Sequence, residues 1–154
     1  MSEQTTFESG AVRDALPVRY DLCSPLAIKA TSLHGLSPQS PMRLLHALST
    51  DASTRELLSG LWNVVYDDKN LDDSDHVCAY ILDAYARTMH EGSRKYGERN
   101  WEKGIPADNL RNHALNHLVQ LFGGDTSEPH LDHLIWNVLT IIHFREKEKG
   151  ESND

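Results

Sequence analysis

Four histidines stand in two close pairs, His113 with His117 and His130 with His133, within a chain of 154 residues. A neutral imidazole can ligate a borderline cation such as zinc or manganese, and a charged one can hold a phosphate. At about 100° per residue, a helix sets His113 and His117 about 40° apart on one face. The same geometry gathers His130, His133 and Asn137 in a sector of about 60°. These positions equally suit half-buried histidines bonded to backbone or to one another. The spacing alone does not choose, because it lacks the built-in carboxylate of an HExxH helix. All four histidines are therefore candidate ligands for a divalent metal (magnesium, manganese or zinc).

Just upstream lies KYGERNWEKG, residues 95–104. Lys95, Arg99 and Lys103 bring cations that meet phosphates, while Tyr96 and Trp101 offer faces for a base. Asn100 carries both a donor and an acceptor for a base edge. Together with Asn137 these residues form a nucleotide-binding set. The competing reading makes Trp101 a plug for the core, Asn100 a cap on loop backbone, and the charges solvated. Phosphate chemistry also needs carboxylates, to hold magnesium against a polyphosphate. The local supply is Glu91, Glu98, Glu102, Asp125, Glu128 and Asp132. Glu91 and Asp125 are the candidate catalytic acids. Arg13, Arg19 and Tyr20 belong to an N-terminal arm that can fold back over the site, and Arg19 joins the nucleotide-binding candidates.

Helices must position these groups. A stretch from Asp108 or Ala107 to about Phe122, and another over roughly 128–146, read as the two histidine helices. Their apolar stripes are Ala114, Leu115, Leu118, Leu121 and Phe122 on the first, and Leu131, Leu134, Ile135, Val138 and Ile142 on the second. The short GGDTSE turn makes them antiparallel neighbours, with Ser127 as a cap for the second. Upstream, Ser53 and Glu56 match a capping box before Leu57, Leu58, Leu61, Val64 and Val65, although Gly60 interrupts that pattern. A further helix, capped by Asp72 or Ser74, carries Val77, Ile81, Leu82 and Tyr85 and runs to about Lys95. MRLLHALS is a helical turn or two, and Ser24–Pro25 opens a short helix to about Leu33. Residues 1–23 read as an extended arm and 147–154 as a frayed tail. No strand pattern stands out. The expectation is one all-α domain, a compact helical bundle.

Composition bounds the function. Apolar residues make up 39% and charged residues 25%, as in soluble globular proteins. A net charge of -8 argues against a nucleic-acid backbone as the main partner. No apolar run reaches the ~18 residues of a membrane span, and the N-terminus lacks the features of a signal peptide. Cys23 and Cys78 sit in no CxxC pattern and read as thiols of a reducing cytoplasm, without excluding a disulfide between them. Apolar stripes on nearly every helix of so short a chain point to a homodimer or higher homo-oligomer.

The segments FESGAVRD and RYDL, then EGSRKYGERNWEKGIP, then HALNHLVQLFGGDTSEPHLDHLIWN, resemble a phage-associated family, the dATP/dGTP diphosphohydrolase N-terminal domain family. The resemblance spans roughly residues 7–28 and 86–144. It implies a relation to the all-helical MazG-like pyrophosphohydrolases and a cytoplasmic setting in an infected host. It further implies metal-dependent cleavage of purine deoxynucleoside triphosphates to monophosphate and pyrophosphate. Those enzymes hold magnesium or manganese through an ExxE…ExxD pattern on two helices. Here the comparable spacing reads His113-x-x-Asn116 and His130-x-x-His133, so either the carboxylates come from elsewhere or the chemistry differs. The alternative is a module that binds nucleotides or proteins without catalysis. Residues 34–75 read as an insertion relative to the family.

Overall fold

The computed structural model describes residues 3–16 and 40–152, with the side chains of 151 and 152 left aside. Arg19, Tyr20, Cys23 and the helix expected at 25–33 fall outside the described residues. Within them the chain is the expected helical bundle, preceded by a hairpin that the sequence reading did not anticipate. Strands β1 (Gln4–Thr6) and β2 (Val12–Asp14) pair antiparallel, with Thr5 opposite Arg13. Helices α1 (Met42–Leu48), α2 (Thr54–Lys69), α3 (Ser74–Tyr96), α4 (Ala107–Phe122) and α5 (His130–Ser152) follow, with a short 3₁₀ turn at Asn100–Lys103.

The hairpin has a local cause. Gly10 N–H donates to the Phe7 carbonyl and Phe7 N–H to the Ala11 carbonyl, both at 2.9 Å, with Gly10 at φ +89°. That is a type I turn closed by a residue in left-handed backbone, which glycine adopts freely. The strands are too short and too polar to show alternation.

Helix boundaries follow capping chemistry. Ser53 accepts from the Glu56 N–H at 3.2 Å, as expected. The cap of α3 is Asp73 rather than Asp72 or Ser74. Asp73 has the extended backbone that lets its carboxylate reach the His76 N–H at 2.9 Å, whereas Asp72 bonds the His76 ring. Ser127 does not cap α5: the helix begins after Pro129, whose carbonyl accepts from the His133 N–H at 3.1 Å, and the Ser127 hydroxyl instead donates to Asp125 Oδ2 at 2.6 Å. Helix α5 continues through Ser152, past the expected end near residue 146.

The core runs between α2, α3, α4 and α5 and includes Leu61, Val65, Val77, Leu118, Leu134 and Val138. Leu82, expected in the stripe of α3, points outward, since it stands five residues beyond Val77 and thus about 140° round the helix. Ala84 is buried on that face instead. Phe122, at the very end of α4, is likewise exposed. Asp132 turns from the histidine sector to α3, where Arg87 grips both its carboxylate oxygens at 3.1 Å and the Tyr80 hydroxyl adds a bond of 3.2 Å. This fork ties α3 to α5 beside the site.

Two small groups set the remaining geometry. Gly60 lies against α1, where a Cβ would sit 2.8 Å from Leu44 Cα. Asn100 is buried and clamps β2. Its Oδ1 accepts from the Val12 N–H at 3.1 Å, and its Nδ2 donates to the Val12 carbonyl at 3.0 Å. Lys95 pairs with Asp14, and the Ser9 hydroxyl donates to the Gly104 carbonyl. The KYGERNWEKG loop is thus the seat of the hairpin.

Gly60→Ala should destabilise by about 1–3 kcal/mol in urea denaturation, because overpacking of the helix contact outweighs the helix-propensity gain. Asn100→Ala should cost about 1–3 kcal/mol by leaving the Val12 N–H and C=O without their partner. Amide exchange at Val12 should accelerate in that variant, and unchanged exchange would show the clamp to be idle.

Candidate functional site

The seam between α4 and α5 carries the histidines. His113 and His117 project from α4 beside buried Ala114 and Leu118, so they are buried as well. Across the turn, His130 is buried at the start of α5, while His133 and Trp136 are half-buried one turn further on. All these faces except that of His130 line a cleft of about 810 Å³. Its other walls are β2, the C-terminal turns of α3 and the loop that follows. Such a volume suits a small-molecule ligand.

Within the seam the four imidazoles have different partners. His130 Nε2 lies 2.5 Å from Asp125 Oδ2, and its Nδ1 lies 2.9 Å from His117 Nδ1. An ionised carboxylate only accepts, so His130 donates from Nε2 and, when neutral, offers Nδ1 as acceptor to His117. The Ser127 hydroxyl, and after it His130, hold the Asp125 carboxyl below its ordinary pKa. Glu128 Oε1 stands 3.2 Å from His133 Nδ1 and 3.4 Å from His117 Nδ1. One ligand atom from each of His117, Glu128 and His133 therefore lies within 4.8 Å of the others. His113 is set deeper, its ring centroid 6.4 Å from that of His117.

Burial governs the charge of these rings. Desolvation, followed by the nearby Arg13 cation, pushes His113 down to about 2. Desolvation and the neighbouring histidines push His117 down to about 3. Both are neutral at pH 7, so they do not act as the charged imidazoles that would hold a phosphate. The positive charge of the cleft comes from elsewhere. Arg13, on β2, is half-buried and donates from Nη1 to Asn109 Oδ1 at 3.0 Å and to Asn137 Oδ1 at 3.1 Å. Its guanidinium sits 5.6 Å from the Trp136 ring centroid. Burial pushes Arg13 down to about 10, with Tyr96 and Asp14 opposing, and it remains cationic at neutral pH.

The residues singled out by sequence divide accordingly. The cleft wall brings together His113, His117, His133, Asn137, Glu91, Lys95, Tyr96, Arg99, Asn100 and Trp101. Glu91 reaches within 3.6 Å of His133 Nε2 and is largely exposed. Lys95 is engaged by Asp14, and Arg99 is exposed beside Glu102. Asn100 commits its amide to Val12, so it is not free to read a base edge. Trp101 packs edge-on against His143 and Phe144 of α5, with centroids 4.8 and 6.2 Å away, so it serves the bundle as well as the cleft. Asp125 stands behind His130, not in the cleft wall. Glu128 and Arg13 are the groups that sequence underweighted. Glu128 was one acid among six, and Arg13 was one cation of an arm with no visible docking signal.

The cleft of this helical bundle, lined by histidines, carboxylates and one recessed cation, has the size and polarity of a small-molecule site. The chain belongs to the family described as dATP/dGTP diphosphohydrolase, N-terminal, whose model matches residues 65–154. The match runs from late α2 through α5 and leaves the hairpin, α1 and the N-terminal motifs outside it. No curated protein and no solved structure matches the chain.

His113 gives the acid limit of the site. Its folded pKa lies far below the unfolded value of about 6.5, so the unfolded chain takes up its proton first. That part of stability is complete above about pH 6.5 and is lost as pH falls, by on the order of a few kcal/mol near pH 4. Urea denaturation at pH 7 and pH 4.5 should show the loss, and His113→Gln should remove part of it, with His117 supplying the rest. An ordinary imidazole titration near pH 6.5 by NMR would contradict this assignment.

Proposed function

We propose that the cleft binds a divalent metal and a purine deoxynucleoside triphosphate and hydrolyses it to the monophosphate and pyrophosphate. The observation that carries this reading is the approach of His117, Glu128 and His133 within ligand spacing of one another in the wall of the cleft. The family's name supplies the substrate class.

The donor set has a chemical preference. Two imidazoles and one carboxylate suit zinc, manganese or another first-row ion, whereas magnesium prefers oxygen donors and water. Contacts of 3.2 and 3.4 Å from Glu128 to the two rings are close to the ligand–ligand edge of a tetrahedral zinc site, about 3.3 Å for bonds near 2 Å. When bound, such an ion neutralises phosphate oxygens and lowers the pKa of a water molecule. The chain's own residues do the rest. Asp125 fixes the orientation of His130, whose Nδ1 stands 2.9 Å from His117 Nδ1, so an ion held at that His117 nitrogen would replace the hydrogen bond between the two rings. Glu91, at the rim near His133, is the carboxylate placed to take a proton from water. Tyr96 offers an aromatic face to the base, and Lys95 and Arg99 stand where phosphates would enter.

One feature favours a second reading. Among the described residues, only Glu128 of the cleft's carboxylates lies within ligand spacing of both His117 and His133, a sparse acid set for polyphosphate cleavage. Binding without turnover would follow.

Incubation with each of the four deoxynucleoside triphosphates, in magnesium, manganese, zinc or cobalt, separates the readings. Phosphate-resolved chromatography should show dAMP or dGMP with pyrophosphate, most rapidly with a first-row transition ion. Glu128→Gln and His133→Gln should each lower kcat at least about 100-fold while the fold persists by circular dichroism. Tight nucleotide binding with no product in any ion would establish the second reading instead.

A further inference from the structure

We propose that Arg13, carried into the cleft by the N-terminal hairpin, is an anion-binding residue that takes a phosphoryl group of the substrate's polyphosphate chain. The inference deepens the proposed function and rests on that reading for the identity of the anion. It concerns a residue that lies outside the region matched by the family model.

A guanidinium carries five N–H donors in a rigid fork. Both hydrogen bonds that Arg13 makes among the described residues leave from Nη1, and both acceptors are neutral amide oxygens. Among those residues it forms no ion pair, and the neighbouring carboxylate, Asp14, pairs with Lys95. Its other face lies toward Trp136. A half-buried cation whose hydrogen bonds go only to neutral acceptors is costly unless an anion completes the set. Arg13 lines the cleft, and its field is felt at both His113 and His117. Asn137 links it to the ion-binding cluster, donating from Nδ2 to the His133 carbonyl at 2.8 Å while accepting from Arg13. The fork and the cluster thus flank one space, as in a clamp that grips adjacent phosphoryl groups.

The hairpin is built to hold the fork still. Asn100 locks Val12, Lys95 locks Asp14, and Arg13 lies between those two anchors. Lys95, one of the cations of KYGERNWEKG that sequence assigned to phosphate, therefore serves to dock the residue that meets it.

Tripolyphosphate, a probe with no base, isolates this claim. Calorimetry should show Arg13→Gln weakening tripolyphosphate binding at least ~10-fold, with Arg13→Lys recovering part of the affinity because charge returns without the fork. Affinity for manganese alone should stay within about twofold, since the histidine cluster is untouched. If the variants are folded and bind tripolyphosphate as the wild type does, the proposal is overturned. If they do not fold, the wild-type protein decides. The Arg13 Nε–H resonance should shift on titration with tripolyphosphate, and a resonance that stays fixed at saturation overturns the proposal. An Arg13-dependent tripolyphosphate site in a protein that cleaves no deoxynucleotide would sustain this inference while removing the proposed reaction.

Discussion

Everything at the site depends on the packing of α4 against α5 across a turn of seven residues, Gly123–Pro129. The turn is too short to let the helices diverge, so their leucine, isoleucine and valine stripes close on each other. Histidines lie beside those stripes on both helices, and the closure carries them inward. Burial then makes two demands. An imidazole taken from water loses its charge, and its ring nitrogens need partners. The Asp125–His130–His117 chain meets the second demand, and Glu128 approaches from the turn itself. The turn that closes the core thus also supplies two of the carboxylates that meet the histidines, Asp125 and Glu128.

Charge in the cleft is arranged by exclusion. Desolvation keeps His113 and His117 neutral, so neither serves as a counter-ion for a phosphate. The recessed cation comes from a different part of the chain, on a hairpin that packs over the cleft after leaving β1. Its docking engages Asn100 and the Gly104 carbonyl in the loop after α3, and Lys95 at the end of α3. The loop's composition resembles a ligand-binding loop because docking a polar strand and docking a polar ligand need the same donors and acceptors. Asn100 makes with the Val12 backbone the pair of bonds that it could have made with a base edge.

Much of the fold was legible because helical periodicity is local. The apolar stripes of α2, α4 and α5 and the cap at Ser53 were visible in the residues that form them. Misreadings came where a neighbour decided. Gly60 looked like a weakness in α2, yet it is the place where α1 approaches too closely for a side chain. Leu82 looked like core, but the face it occupies has no partner among the described residues. The hairpin escaped notice because strands of three residues hold no period, and only FESG carried a turn signal.

The sequence by itself determined that two histidine helices would lie antiparallel with their imidazoles along a common seam, since spacing and turn length suffice for that. Family membership was legible as well, because it rests on the order of residues along α3, α4 and α5. Only the tertiary structure decided which imidazoles meet Glu128, which one is held by Asp125, and which cation enters the cleft. Those choices turn on distances of a few ångströms between side chains far apart in the chain, as with Arg13 and Asn137. Local periodicity carries no information about contacts of that kind.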